Sequence, residues 1–201
     1  MVRKSMKAGE AKNMKIPFIV GIAGGTQSGK STFTQALEVA LRGERFKTFH
    51  MDDYHLPMEQ RTISKAPYKS EAYSDANLPA SFDIPQLRVD LRNEIDKGAA
   101  DIIIVEGTMV LYDEAIRETL NLKIFVDTRD DERSVRYIEK YSPIYGYDFI
   151  RNSYLDLARY RMDEFVLPTK WYADIILNGS VKSRHSVAAV KGYILLNIND
   201  G

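Results

Sequence analysis

Apolar and polar residues along this chain change rhythm repeatedly, between runs suited to strands and spacings suited to helices. Residues 16–22 form a short apolar run ending at Gly24 and Gly25, which predicts a strand followed by a turn. From Ser31 to Leu41 the apolar residues Phe33, Leu37 and Leu41 recur at helical spacing, and Gly43 supplies a stop. Residues 46–51 read as a second strand. Residues 56–79 are polar and rich in Pro, Ser, Ala and Tyr, which predicts a long loop of a functional or mobile kind. A helix is predicted over 82–97, with Ile84, Leu87, Leu91 and Ile95 turned inward and Gly98 as its C-terminal cap. The β-branched run 101–106 suits a central parallel strand buried on both faces. Then come a short helix (113–120), a strand (122–126) and a helix from 130 to about 141, interrupted at Pro143 and Gly146. A long helix (147–166) and a strand (173–177) follow, and residues 186–198 read either as a closing helix or as helix plus strand.

Strands and helices in alternation predict an α/β fold, with a parallel sheet of about five strands flanked by helices. The expected layout is one domain over residues 16–201 behind a polar extension, residues 1–15, which carries Arg3, Lys4, Lys7, Lys12 and Lys15. That extension lacks the apolar stretch of a secretory signal, and no apolar run approaches a membrane span, so a cytoplasmic protein with no membrane partner is expected. The 28 basic and 28 acidic residues cancel, which argues against a nucleic-acid binder working through a whole-protein positive field. The absence of cysteine excludes disulfides and thiolate metal sites.

The turn after the first strand carries the chemistry. Gly24-Gly25-Thr26-Gln27-Ser28-Gly29-Lys30-Ser31 matches G-x-x-x-x-G-K-[ST], followed by Thr32, between a predicted strand and a predicted helix. Glycines let the backbone aim several N–H groups at one anion, and the helix adds its N-terminus. Lys30 would neutralise the outer phosphates of ATP, and the Ser31 hydroxyl suits Mg²⁺, a hard ion that prefers oxygen. Glu106 ends the most buried strand, on the ligand edge of such a sheet, where it could hold Mg²⁺ directly or through water.

Asp52, Asp53, Tyr54 and His55 follow the second strand on the same edge. Asp52 could take the proton of an acceptor hydroxyl and sit near Mg²⁺; the alternative for both carboxylates is a solvated loop. Asp53, Tyr54 and His55 are candidates to touch the acceptor, and one or two of the many tyrosines could stack on a ring. Arg133 and Arg136 lie three apart and so share a helix face. Residues 165–171 are expected to pack as core and turn.

Residues 21–32, the Asp52 segment and Val105-Glu106-Gly107 together resemble the uridine kinases. So do Phe125-Val126-Asp127-Thr128, Leu167-Pro168-Thr169-Lys170 and Tyr172-Ala173-Asp174-Ile175-Ile176, all in consistent order over about residues 16–180. The wider group includes phosphoribulokinase, pantothenate kinase and nicotinamide riboside kinase. The resemblance implies a P-loop kinase fold with a helical lid, Asp52 as catalytic base, and Ser31 and Glu106 at the Mg²⁺ positions. It also implies that Arg133 and Arg136 contact phosphates from the lid. Counting back from Phe82-Asp83, Asn77 stands where the group carries an acid that binds ribose hydroxyls.

Two further departures bear on the acceptor. Lys97-Gly98 leads almost directly into Asp101, without the group's hairpin over the nucleobase, and residues 142–147 (Ser-Pro-Ile-Tyr-Gly-Tyr) replace an Arg-rich lid segment. The expected function is therefore ATP-dependent phosphorylation of a hydroxyl on a small metabolite, foremost a nucleoside or riboside. Two alternatives stand beside it. One is a kinase of a non-nucleoside alcohol or phosphosugar, with Arg61, Lys65 and Lys69 as candidate basic contacts. The other is a nucleotide-binding regulatory protein. Oligomeric state is not legible, and a homo-oligomer stays open.

Overall fold

The computed structural model of the protein describes residues 16–199, and the extension assigned to residues 1–15 lies outside the described residues. The chain runs β1 (Phe18–Gly24), α1 (Lys30–Ala40), β2 (Phe46–His50), β3 (Ile63–Lys65), β4 (Ala72–Ser74), α2 (Ile84–Lys97), β5 (Ile102–Glu106) and α3 (Glu114–Thr119). It continues with β6 (Leu122–Asp127), α4 (Asp130–Tyr145), α5 (Tyr147–Ser153), α6 (Arg159–Arg161), β7 (Ile175–Asn178) and α7 (Arg184–Asn199). Five strands form a parallel sheet in the order β2-β5-β1-β6-β7. β1 is central, and the chain leaves it toward both edges. A crevice therefore opens beyond the C-terminal ends of the strands, where such sheets bind ligands.

β5 shows why the sheet sits where it does. All five of its residues are buried: Ile103 and Val105 join Leu87, Leu91, Phe125 and Met162 on one face, and Ile102 and Ile104 join Leu37, Leu41, Val190 and Ile194 on the other. Burying each such side chain is worth roughly 1.5–3 kcal/mol, so a run without polar alternation belongs in the middle of the sheet. α2 is bounded as its sequence predicts. The Asp83 side chain accepts from the Gln86 N–H at 3.0 Å, and Gly98 ends the helix at φ 58°.

Four regions differ from the sequence reading. The polar stretch 56–79 is not a plain loop but carries the antiparallel hairpin β3–β4, with Ile63 opposite Ser74 and Lys65 opposite Ala72. Three-residue strands are too short to show alternation, and this hairpin is tied in by neighbours such as the Asp75 N–H, which donates to the Thr62 carbonyl at 2.9 Å. Pro143 does not interrupt α4, because it falls in the last turn and removes only one helical hydrogen bond; the break comes at Gly146, with φ 89° and ψ 142°. The predicted helix 147–166 is α5 and α6 with a wider π-type turn between them at Tyr154–Ala158 and another after α6 at Met162–Val166. Trp171 is 82% exposed, so the 165–171 segment puts Val166 but not Trp171 into the core.

The ambiguous C-terminal segment is one helix, α7, which packs Val190, Ile194 and Ile198 against α1 and the sheet. Among the described residues no helix is long and apolar enough to cross a membrane.

Candidate active site

The phosphate loop joins β1 to α1 through strained and crowded backbone. Gly29, just before α1, is left-handed at φ 93°, a conformation that favours glycine. At Gly24 a Cβ would stand 2.5 Å from the Val126 carbonyl oxygen, so only glycine fits. Two of the loop's carbonyls are held by residues that follow β6, the strand beside β1. Thr128, buried at the end of β6, donates its hydroxyl to the Ser28 carbonyl at 2.7 Å. Arg136 Nη1 reaches the Gln27 and Gly179 carbonyls, each at 3.3 Å. Gly179 follows β7, and a Cβ there would lie 2.0 Å from Ser28 O. Carbonyls pinned outward leave the loop's N–H groups to the crevice.

Inside this frame two donors are buried without a hydrogen-bond partner among the described residues, Ser28 Oγ and Arg133 Nη1. Arg133 is fixed by Nε donating to the Thr128 carbonyl at 3.2 Å and by its ion pair with Asp130, and Nη1 lies against Gly25. Buried donors without acceptors are costly unless an anion meets them, and phosphate oxygens fit that requirement.

Glu106 gathers the next group. Ser31 Oγ donates to Oε1 at 3.1 Å, Lys30 Nζ stands 3.8 Å from the same oxygen, and His50 Nδ1 lies 3.0 Å from Oε2. One carboxylate, 4% exposed, thus orients the loop's lysine and its hydroxyl together. The oxygens of Ser31 and Glu106 fit Mg²⁺ held with phosphates, an ion that takes only one or two protein ligands and keeps water for the rest. No group of three or more His, Asp or Glu among the described residues is arranged to hold a metal alone.

Beyond this cluster lies a cavity of about 560 Å³. Its lining joins Lys30, Ser31 and Asp52 to His55, Arg61, Tyr73, Asn77 and Phe82 and to Tyr137, Lys140, Tyr141, Tyr145 and Phe149 of α4 and α5. His55 stacks on Phe82 with ring centroids 4.0 Å apart, and Tyr137 meets Tyr141 at 4.9 Å. Burial, and then the nearby Arg61, lower the His55 pKa. Tyr73 donates to Asp156 at 2.9 Å, and burial and that bond push its phenol up to about 12. Lys69, 2.7 Å from Asp156, holds that carboxyl below its usual range against the effect of burial. Asp75, fully buried, accepts from Arg161 Nε and from the Asn77 N–H, each at 2.9 Å. A second cavity of about 610 Å³ lies on the other side of the loop, lined by Phe33, Ala36, Val126, Arg136, Leu177 and Val187.

The structure thus brings Lys30, Ser31, Thr32, Asp52, His55 and Asn77 to one cavity, with Thr26, Gln27 and Gly29 on its rim and Glu106 bonded to Ser31. It does not bring Asp53 or Tyr54 there; the Tyr54 hydroxyl turns to Asp90 at 2.9 Å. Arg136 meets the phosphate loop at its carbonyls and Arg133 Nη1 lies against Gly25, and neither arginine of this pair forms the wall that carries Asp52, though Arg136 lines the second cavity. Sequence reasoning missed His50, Thr128, Gly179 and the Asp75–Arg161 and Asp156–Lys69 pairs. Thr128 stood inside a quoted motif without a role, whereas no sequence spacing joins Asp75 to a residue 86 positions later.

Comparison with known proteins agrees with this geometry. The model of the Phosphoribulokinase / Uridine kinase family matches residues 85–185. A uridine kinase of Lactococcus lactis subsp. lactis (strain IL1403) is 31% identical over 93% of this chain and 100% of its own length. One from Lactobacillus johnsonii is 34% identical over 81% of this chain and 87% of its own. Among solved structures, a sugar kinase from Janibacter sp. HTCC2649 superposes with TM-score 0.55 at 16% identity, covering 90% of this chain and 95% of that one. A structure described as a possible uridine kinase from Bacillus stearothermophilus superposes with TM-score 0.51 at 16% identity, over 81% and 89%. The structural likenesses carry the fold, the sequence relatives carry the kinship, and the chain belongs to the phosphoribulokinase/uridine kinase family of kinases.

Proposed function

We propose that the protein transfers the γ-phosphoryl group of ATP to a hydroxyl of a nucleoside or related riboside. The observation that carries this reading is the shared cavity: Asp52 lines it together with Lys30 and Ser31 and with several aromatic side chains that suit a ring. The donor phosphates would meet the loop N–H groups, Lys30 and the unpartnered Arg133 Nη1. The base and sugar of ATP would occupy the cavity of about 610 Å³ between α1 and the turn after β7. Ser31 and Glu106 would hold Mg²⁺, which when bound neutralises phosphate charge.

In the reaction Asp52 accepts the acceptor's hydroxyl proton. The acceptor oxygen bonds to the γ-phosphorus, the bond from that phosphorus to the β–γ bridging oxygen breaks, and ADP leaves. Lys30 and Arg133 hold fixed positive charge where negative charge shifts, so positioning and electrostatics supply most of the rate. Asn77 would hydrogen-bond a sugar hydroxyl without adding charge.

The test is acceptor-stimulated ADP release with Mg²⁺, ATP and a panel of uridine, cytidine, nicotinamide riboside, pantothenate, sugars and phosphosugars. A nucleoside or riboside should stimulate release, and Asp52→Asn should lower kcat by about 10²–10⁴ while the fold survives. Stimulation by none of them, with ATP still bound, would sink the assignment.

A further inference from the structure

The cavity that holds Asp52 has an unbalanced lining. Three basic side chains, Lys30, Arg61 and Lys140, face one carboxylate, Asp52. Lys30 is committed to the phosphate loop and Glu106. Arg61 is not committed to any acid. It is half-buried, and its Nε donates to the Leu56 carbonyl at 2.7 Å, which fixes the guanidinium plane. Neither Nη has an acidic partner among the described residues, whereas Arg133, Arg136, Arg151 and Arg161 all pair with carboxylates. Arg61 lines the same cavity as Asn77, and the carbonyl of its neighbour Thr62 accepts from the Asp75 N–H, two residues before Asn77. His55 beside it has a lowered pKa, so the fixed positive charge here is Arg61.

A guanidinium held by its Nε and left open at both Nη atoms has the shape of a carboxylate receptor. A neutral acceptor filling this cavity would strip water from the fork and give back no charge. The surrounding rings, Tyr73, Phe82, Tyr141 and Phe149, suit a flat acceptor group.

Resting on the nucleoside-kinase reading above, we propose that Arg61 selects an acceptor whose ring carries an anionic, carboxylate-like substituent. The ring packs among the aromatic side chains, the substituent meets the Arg61 fork, and the sugar hydroxyl is presented to Asp52. Lys140 adds general positive charge from the lid.

Two matched pairs test this, each with one shape and two charges: 5-carboxyuridine against 5-carbamoyluridine, and nicotinate riboside against nicotinamide riboside. ADP release gives kcat/KM for each. In at least one pair the carboxylate should be favoured by about tenfold or more, the scale of one charge-assisted contact. Arg61→Gln should bring that ratio to about 1, and Arg61→Lys should keep part of it. Because each ratio is taken within one variant, a general loss of activity or stability cancels.

A wild-type ratio near 1 or below in both pairs overturns the proposal. So does a preference that survives Arg61→Gln, or one lost instead in Lys140→Gln. Turnover of uridine or cytidine without a carboxylate preference removes only this inference. No ADP release with any acceptor removes the kinase reading as well.

Discussion

The two walls of the site are built on different plans. The donor wall is one short segment, residues 24–32, braced by carbonyl contacts from Thr128, Arg136 and Gly179 and by the Glu106 carboxylate. Thr128 and Arg136 are side chains, but what they hold is the loop's own backbone carbonyls, which no side-chain substitution in the loop removes. The acceptor wall draws on the Asp52–Arg61 segment, the hairpin β3–β4 and the lid helices. It is joined by side-chain pairs: Arg161 with Asp75, and Lys69 and Tyr73 with Asp156. Both pairs spring from the widened stretch around α6, where π-type turns change which side chains face the hairpin. On the reading proposed above, backbone bracing serves one ligand class, phosphate, whereas the acceptor surface depends on which side chains pair.

The largest expected effect comes from cutting the acceptor wall. Arg161→Met leaves the fully buried Asp75 carboxylate without its cation and should cost about 3 kcal/mol in a urea melt. Acceptor KM should rise while ATP KM stays put; an equal rise in ATP KM would show that the walls are one unit. On the donor side, Gly179→Ala forces a methyl to within 2.0 Å of the backbone oxygen of Ser28 and should cost about 1–3 kcal/mol. Here ATP KM should rise and acceptor KM should not.

Thr128→Val is a gentler cut at the same brace. It removes the bond to Ser28 O and should cost about 1 kcal/mol, with Thr128→Ser restoring most of it. If Thr128→Val raises acceptor KM instead, the brace serves the wrong wall. The smallest effect concerns His55, whose pKa is lowered by burial first and then by Arg61. Below about pH 6.5 the unfolded chain then binds more protons at this residue than the folded one, so stability falls as pH drops. His55→Gln should flatten the fall in melting temperature between pH 7 and 5; an unchanged slope would mean that His55 is not the group responsible.

The donor wall was legible in the sequence because its chemistry is local. Glycine at 24 and 29, lysine at 30 and serine at 31 are a contiguous pattern, and the strand before and helix after it are strongly periodic. Glu106 was legible because an acid ends a β-branched run. The acceptor wall was legible only in pieces. Asp52, His55 and Asn77 were named and do reach the cavity, but Asp53 and Tyr54, their neighbours, do not, since one 3₁₀ turn after β2 sends Tyr54 to α2. Nothing in the spacing of residues 56–79 announced a hairpin with strands of three residues.

The sequence by itself determined the parallel sheet, a strand in its interior buried on both faces and the anion-binding loop, because burial of apolar runs and glycine backbone geometry act over a few consecutive residues. Only the tertiary structure decided which carbonyls Thr128 and Arg136 hold, that Arg161 neutralises Asp75, and that Arg61 lines the cavity of Asp52 with no acidic partner among the described residues. Those choices depend on ion pairs and close approaches between segments tens of residues apart, whose energies exist only once the fold has brought them into contact.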